Sequence, residues 1–199
     1  MDSINQPKYK YELTEKSFSD CLPDYLKFAS RLFFTPIEVA KTASEWLTET
    51  DAKKILDIGA GVGKFCITGA RQSSCHFYGI EHRASIAKIG NQIAKHFELS
   101  NVTILHSNIL DVDFSNYDAF YLFNPFYENL EHAKRLNDEV PLEESLYLKY
   151  LNYTDEQLDK AKIGTRLVTY HGNNFEVPNS YFKVQDAFNG DLKLWVKQE

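Results

Sequence analysis

The spacing of apolar residues changes twice along the chain, and the changes separate helical from strand-like stretches. Residues 1–20 are polar and read as a loosely held arm. From Pro23 to about Thr50 apolar residues recur every three or four positions: Leu22, Tyr25, Leu26 and Ala29, then Val39, Ala40, Ala43 and Leu47. That is the repeat of helices with one buried face. Thr35-Pro36-Ile37-Glu38 predicts a helix start, with Thr35 as cap, proline at the first helical position and glutamate at the third.

Beyond Thr50 the pattern becomes short apolar blocks of strand length: Lys54–Ile58, His76–Ile80, Val102–Leu105, Asp118–Phe123 and Arg166–Tyr170. Between the first three lie helical stretches, Lys64–Arg71 and Ala84–Leu99, the second with Ile86, Ile89, Ile93, Ala94 and Phe97 on one side. Residues 127–162 carry helical patterns broken at Pro141, and Thr154-Asp155-Glu156-Gln157 predicts the start of the last one. Tyr181–Phe188 and Leu192–Lys197 flank Asn189-Gly190, a hairpin turn signal. Alternating strands and helices predict an α/β fold: a mostly parallel sheet with helices on both faces, ending in a C-terminal antiparallel hairpin. A plain dinucleotide-binding fold would end in another crossover instead. Residues 1–199 read as a single domain, with a helical lid over 1–50 and the sheet-bearing core over 51–199.

Composition narrows the class. With 43% hydrophobic and 25% charged residues the chain can bury a core, and disorder is not expected. No window approaches the roughly 18 apolar residues of a membrane span. The N-terminus has no basic region followed by an apolar stretch. The three cysteines, Cys21, Cys66 and Cys75, form no CxxC pair and read as free thiols in a reducing compartment. A cytoplasmic location and no membrane partner are therefore expected. The net charge of −6 weighs against a protein that grips a long duplex, and Lys8-Tyr9-Lys10 is a small basic cluster that reads as solvated surface. The six histidines show no metal-ligand spacing, so no metal is expected, and there is no GxSxG elbow.

The candidate chemistry centres on Asp57-Ile58-Gly59-Ala60-Gly61-Val62-Gly63-Lys64-Phe65, between the first predicted strand and the helix after it. Glycines there allow a tight turn and a close backbone approach to a ligand. Spacing separates three nucleotide-type readings. A P-loop aligned on Gly63-Lys64 would put Ile58 where its first glycine belongs and Phe65 where Ser or Thr belongs. A GxGxxG fingerprint fails at its last glycine, which falls on Lys64 or Cys66. What stands is D-x-G-x-G-x-G. Glu81 ends the second strand 24 residues after Asp57, close to the roughly 20 expected for a carboxylate that accepts from two ribose hydroxyls. Its alternative reading is a surface glutamate before a helix.

From about Arg31 to Tyr127 the chain resembles class I S-adenosylmethionine (SAM)-dependent methyltransferases, whose fold is Rossmann-like. The resemblance implies SAM as cofactor. It places Asp57, Gly59, Ala60 and Gly61 at its amino-acid end and Glu81 at its ribose, with His82 following into the cleft. In Ser107-Asn108-Ile109, Asn108 stands where many members have an adenine-binding Asp, and Ile109 would pack on the adenine face. Phe34-Thr35-Pro36 is similar to the segment that precedes this motif in amino-group methyltransferases acting on adenine, where it folds against the methionine part of the cofactor. Asn124-Pro125-Phe126-Tyr127 resembles their (Asn/Asp)-Pro-Pro-(Tyr/Phe) catalytic motif, with one proline in place of two. There the Asn oxygen and a proline carbonyl accept from the target amine and the aromatic ring stacks on a planar substrate. The glycine loop and Gly79-Ile80-Glu81-His82 also resemble histone-type class I lysine methyltransferases. The acceptor implied is a small molecule, a protein side chain or a nucleic acid presented by a partner. Two other readings stay open: a SAM-binding protein without methyl transfer, and a nicotinamide-dependent oxidoreductase.

Overall fold

The computed structural model describes residues 11–130, 134–171 and 177–198. Three helices lead the chain: α1 (Glu15–Asp20), α2 (Asp24–Phe33) and α3 (Ile37–Thr48). Then come β1 (Lys54–Ile58), α4 (Lys64–Gln72), β2 (His76–Glu81), α5 (Ala84–His96), β3 (Val102–His106) and β4 (Ala119–Leu122). The chain continues through α6 (Glu144–Asp159), β5 (Arg166–Tyr170), β6 (Tyr181–Ala187) and β7 (Leu192–Lys197). The seven strands form one sheet in the order β3-β2-β1-β4-β5-β7-β6. The first five are mutually parallel, and β7 runs antiparallel to both β5 and β6. The expected parallel sheet with a terminal hairpin is therefore present. Asn189 and Gly190 take the left-handed conformation in its turn, with φ of 58° and 87°.

Successive residues of the central strands alternate between two apolar layers, as the pleat requires. In β4, Ala119 and Tyr121 pack with Leu47, Ile67 and Phe77 on one face, while Phe120 and Leu122 pack with Leu56, Leu158 and Trp195 on the other. Burial on both faces explains why these strands read as continuous apolar blocks.

Three expectations change on the N-terminal and α6 sides. The polar arm is ordered from Thr14 onward. The Thr14 hydroxyl accepts from Ser17 N–H and the Ser17 hydroxyl from Thr14 N–H, a reciprocal cap. That cap starts α1, whose Phe18 is fully buried. Lys8-Tyr9-Lys10 lies outside the described residues. Thr35 does not cap α3; Pro36 holds that position. The Thr35 hydroxyl lies instead 2.9 Å from the Tyr121 hydroxyl, because two buried hydroxyls satisfy each other better than one helix end left within reach of a neighbour. The free N–H of Ile37 goes to Glu15 Oε1 at 2.6 Å, and Glu15 Oε2 pairs with Lys64 at 2.6 Å. Finally, Thr154 starts no helix. It lies inside α6, where Tyr150, Thr154 and Leu158 form one buried stripe at intervals of four, and that face overrides the local start signal.

Phe18→Ala tests the docking of α1. Deleting a fully buried ring costs about 3–5 kcal/mol, read as a lowered urea midpoint; a loss below about 1 kcal/mol would restore the loose arm.

Candidate active site

A cavity of about 390 Å³ opens where the five parallel strands end. Its walls come from the loops after β1 to β5 and from the junction between α2 and α3. Open α/β sheets bind ligands at this end, and the volume lies in the range of small-ligand sites.

The loop after β1 is held on three sides. Ala60 N–H donates to Ile80 O at 2.8 Å, and Gly61 N–H donates to Glu81 Oε2 at 3.0 Å. Gly59 and Gly61 both have positive φ, 76° and 55°. A Cβ on Gly59 would lie 2.6 Å from Pro125 Cβ, and one on Gly61 would lie 3.0 Å from the Phe34 ring. The glycines thus let the loop pass between the β4 end and the α2–α3 junction, a packing demand beyond the ligand approach that their spacing suggests.

Glu81 lines the cavity at 4% exposure. Its second oxygen accepts from Arg83 N–H at 2.8 Å, and the Arg83 guanidinium lies 3.5 Å away. Burial pushes the Glu81 carboxyl up, against the pull of Arg83 and of the two backbone N–H groups. Arg83 is itself buried and bonds to Glu128 at 2.8 Å, while its Nε has no partner among the described residues. His82 lines the same wall, its imidazole held low by burial and by Arg83. Asn108 and Ile109 lie beside it. The Asn108 oxygen already accepts from Leu110 N–H at 3.0 Å, and its amide nitrogen donates to the Tyr150 hydroxyl at 3.2 Å. One oxygen lone pair is left for a ligand.

Across the cavity stand Asn124, Pro125, Phe126 and Tyr127. Asn124 has φ of 41°, unusual for a residue with a side chain. Phe126 is 7% exposed with its ring 5.5 Å from Tyr150, so it is built into the wall, whereas Tyr127 is 45% exposed at the rim. Phe34 and Pro36 close the side over the glycine loop.

Three of the residues singled out in the sequence do not line the cavity. Thr35 bonds Tyr121 behind it. Ala60 serves through its backbone. Asp57 is 4% exposed beneath the loop, 3.5 Å from Cys66 Sγ. Burial raises the Asp57 carboxyl to about 7, with a smaller push from Glu81 and a pull from Cys66. In the other direction, Arg83, Glu128, Tyr150, Phe123, Tyr170 and His171 all line the cavity without having been singled out. Arg83 had an accessible signal, a basic residue two positions after the predicted ribose carboxylate. Tyr170 and His171 end β5 as Asn124 follows β4, and only the pairing of those strands brings them together.

Comparisons with known proteins bear on the fold. A family model described as a methyltransferase domain matches residues 49–144. The 23S rRNA (uracil(1939)-C(5))-methyltransferase RlmD of Klebsiella pneumoniae is 30% identical over 98 residues, covering 44% of this chain and 22% of that protein. The chain thus spans about a fifth of the length of the curated relatives it matches. Among solved structures, an RNA methyltransferase of Salinibacter ruber in complex with S-adenosyl-L-homocysteine gives a TM-score of 0.59 at 21% identity, over 83% of this chain and 94% of that one. A SAM-dependent O-methyltransferase of Thermotoga maritima gives 0.54 at 17%, over 88% of this chain and 71% of that one. At these identities the likeness is one of fold, the Rossmann-like methyltransferase fold.

The Asp57 carboxyl sets a direction for stability against pH. Its folded pKa of about 7 exceeds the ordinary 3.8. Between about pH 4 and pH 7 the folded state therefore keeps a proton that the unfolded chain has released, and the stability this group contributes falls as pH rises. Asp57→Asn removes that loss. In urea titrations across this window the variant gains on the wild type as pH increases, and parallel profiles would refute the assignment.

Proposed function

We propose that this chain, a class I Rossmann-like methyltransferase by its fold and its matched domain, is a SAM-dependent enzyme that methylates an amine nitrogen. The observation that carries the reading is the meeting, in one cavity, of the glycine loop, the Glu81 carboxylate and Asn124. SAM, when bound, supplies a methyl group activated on a sulfonium. The residues fit such a cofactor in kind. Glu81 retains free lone pairs for the ribose hydroxyls, and Ile80 and Ile109 offer apolar faces to a purine. Asn108 keeps one acceptor site for its edge, the backbone at Gly59 and Gly61 faces the amino-acid end, and the Arg83 Nε is a buried donor without a partner among the described residues. A nicotinamide dinucleotide fits less well. It would need a glycine where Lys64 stands, and Lys64 is buried at 3% exposure and paired with Glu15.

The chain's own contribution to transfer is alignment and the exclusion of water. Asn124 and Pro125 both line the cavity; in this reading the Asn124 amide oxygen accepts from an acceptor N–H, and the Pro125 carbonyl is the second acceptor. Two acceptors on one nitrogen fix where its lone pair points. A nitrogen acceptor also agrees with the thiols. Methylation at a pyrimidine carbon needs a nucleophile to add to the ring first, and none of the three cysteines lines the cavity.

Calorimetric titration with SAM, S-adenosylhomocysteine and NAD tests the cofactor: the first two bind and NAD does not. Glu81→Ala weakens SAM by about 1.5–3 kcal/mol, the usual worth of hydrogen bonds to a charged group, and a loss below about threefold makes Glu81 a bystander. Asn124→Ala leaves SAM affinity within a few-fold and lowers methyl transfer by ~10²-fold or more. Equal losses in binding and turnover would make Asn124 a cofactor or structural residue instead.

A further inference from the structure

The cavity has a wall over the ends of β4 and β5 that the cofactor reading does not use. The parallel register pairs Leu122 with Thr169, and continuing it sets Phe123 beside Tyr170 and Asn124 beside His171. Phe123, Tyr170 and His171 line the cavity as one aromatic rim, with ring centroids 4.0 Å apart for Tyr170 and His171 and 5.8 Å for Phe123 and His171. His171, like Asn124, has a left-handed backbone, with φ of 55°. Two neighbouring strands thus end in strained, non-glycine residues at one cavity, and such strain collects at functional sites. The C-terminal hairpin grips His171 twice. Asp191 O accepts from His171 N–H at 2.9 Å, and Asp191 Oδ1 lies 3.4 Å from His171 Nδ1. The other ring nitrogen, Nε2, has no partner among the described residues.

We propose that His171, oriented by Asp191, is the base that takes the acceptor's proton, and that the acceptor is a basic amine arriving as an ammonium. The proposal rests on the amine reading and adds a catalytic residue and the class of substrate. A carboxylate beside Nδ1 keeps the ring's own proton there, leaves the Nε2 lone pair free and stabilises the imidazolium that forms. An ammonium has no lone pair, so it must lose a proton before it can attack. One of its N–H bonds breaks and the proton goes to His171 Nε2. The freed electron pair then forms the N–C bond to the methyl carbon, while the C–S bond of the cofactor breaks and its electron pair stays on sulfur. The methylated amine keeps two protons and the positive charge, and the imidazolium returns its proton to water. Asn124 and Pro125 accept from the two protons that stay. Other titratable groups of the cavity are committed elsewhere. Glu81 and Glu128 are tied to Arg83, and His82 and Tyr150 lie against Asn108. Of the groups packed on His171, Asp191 and Tyr170 titrate and Phe123 does not; burial and Asp191 hold the Tyr170 phenol above its usual range, so it keeps its proton. Arg31, on α2, is a further charge on the cavity wall.

Nitrogen NMR of the protein saturated with S-adenosylhomocysteine reads the ring directly. The neutral His171 imidazole carries its proton on Nδ1, and Asp191→Asn shifts the balance towards Nε2. A wild-type ring protonated on Nε2 could not accept and overturns the base. Turnover is the second measurement, with butylamine as an alkylammonium and aniline as an amine that is neutral in water. His171→Gly suits the left-handed backbone. It lowers kcat/KM for butylamine by ~10²-fold or more, the usual worth of a general base, and for aniline by less than about tenfold. The butylamine deficit closes as pH rises towards roughly 10, where an alkylamine sheds its proton unaided, and added imidazole restores turnover at lower pH. Equal losses for both amines at every pH, without rescue by imidazole, make His171 structural and overturn the proposal. Transfer to neither amine by the wild type with SAM bound overturns the amine reading first.

Discussion

One buried carboxylate ties the strand-end loops to one another. Glu81 accepts from Gly61 N–H in the loop after β1 and from Arg83 N–H in its own loop, and the Arg83 side chain continues to Glu128 after β4. Glu128 in turn accepts from Leu136 N–H at 2.6 Å. A buried charge without partners would cost several kcal/mol, and a chain of charge-assisted hydrogen bonds offsets most of that cost. The alternation of acid, base and acid keeps each group compensated although all three are largely out of water. The cavity is shaped by this network before any ligand enters: if Glu81 moved, the glycine loop and the β4 loop would lose their common reference.

Glu81 is readable from sequence only in part. Spacing from the glycine loop marks it as a candidate ribose acceptor, because that reading depends on local strand-and-loop geometry alone. Its role as anchor for Gly61 and Arg83 depends on which loops meet in space. The parallel strands were legible for a similar reason: burial on both faces leaves continuous apolar blocks, and the hairpin carries its own turn dipeptide. Thr35 and Thr154 were misread because each matches a local helix-start signal, and a tertiary partner or a buried stripe outweighs such a signal. The arm differs in the opposite sense: buried Leu13 and Phe18, the reciprocal Thr14–Ser17 cap and the Glu15 contacts to Ile37 N–H and Lys64 hold six helical residues within a polar stretch.

The aromatic rim was invisible for a topological reason. Phe123 and Tyr170 are separated by 47 positions in the sequence, and the crossover between their strands includes all of α6. No periodicity within either strand announces that they are neighbours. Parallel pairing across a helical crossover is nonlocal by construction, so a site assembled on two such strands shows up in the sequence only as unrelated fragments. The Asn124-Pro125 motif is one fragment; Tyr170-His171 is the other.

Strain at the two strand ends has a structural consequence of its own. A left-handed residue with a side chain costs about 1–2 kcal/mol relative to its relaxed conformation, and Asn124 and His171 both sit there. The surroundings hold them in place. Pro125 packs against Gly59, Tyr127 N–H donates to Asn124 O at 3.2 Å, and His171 N–H donates to Asp191 O at 2.9 Å from the start of the hairpin. Each strained residue is therefore fixed by a segment far away in sequence, one by the glycine loop and one by the C-terminal hairpin. The hairpin that distinguishes this sheet from a simple dinucleotide fold thereby acts on the cavity: through Asp191 it holds the backbone and the ring of His171, and with them the β5 wall of the site.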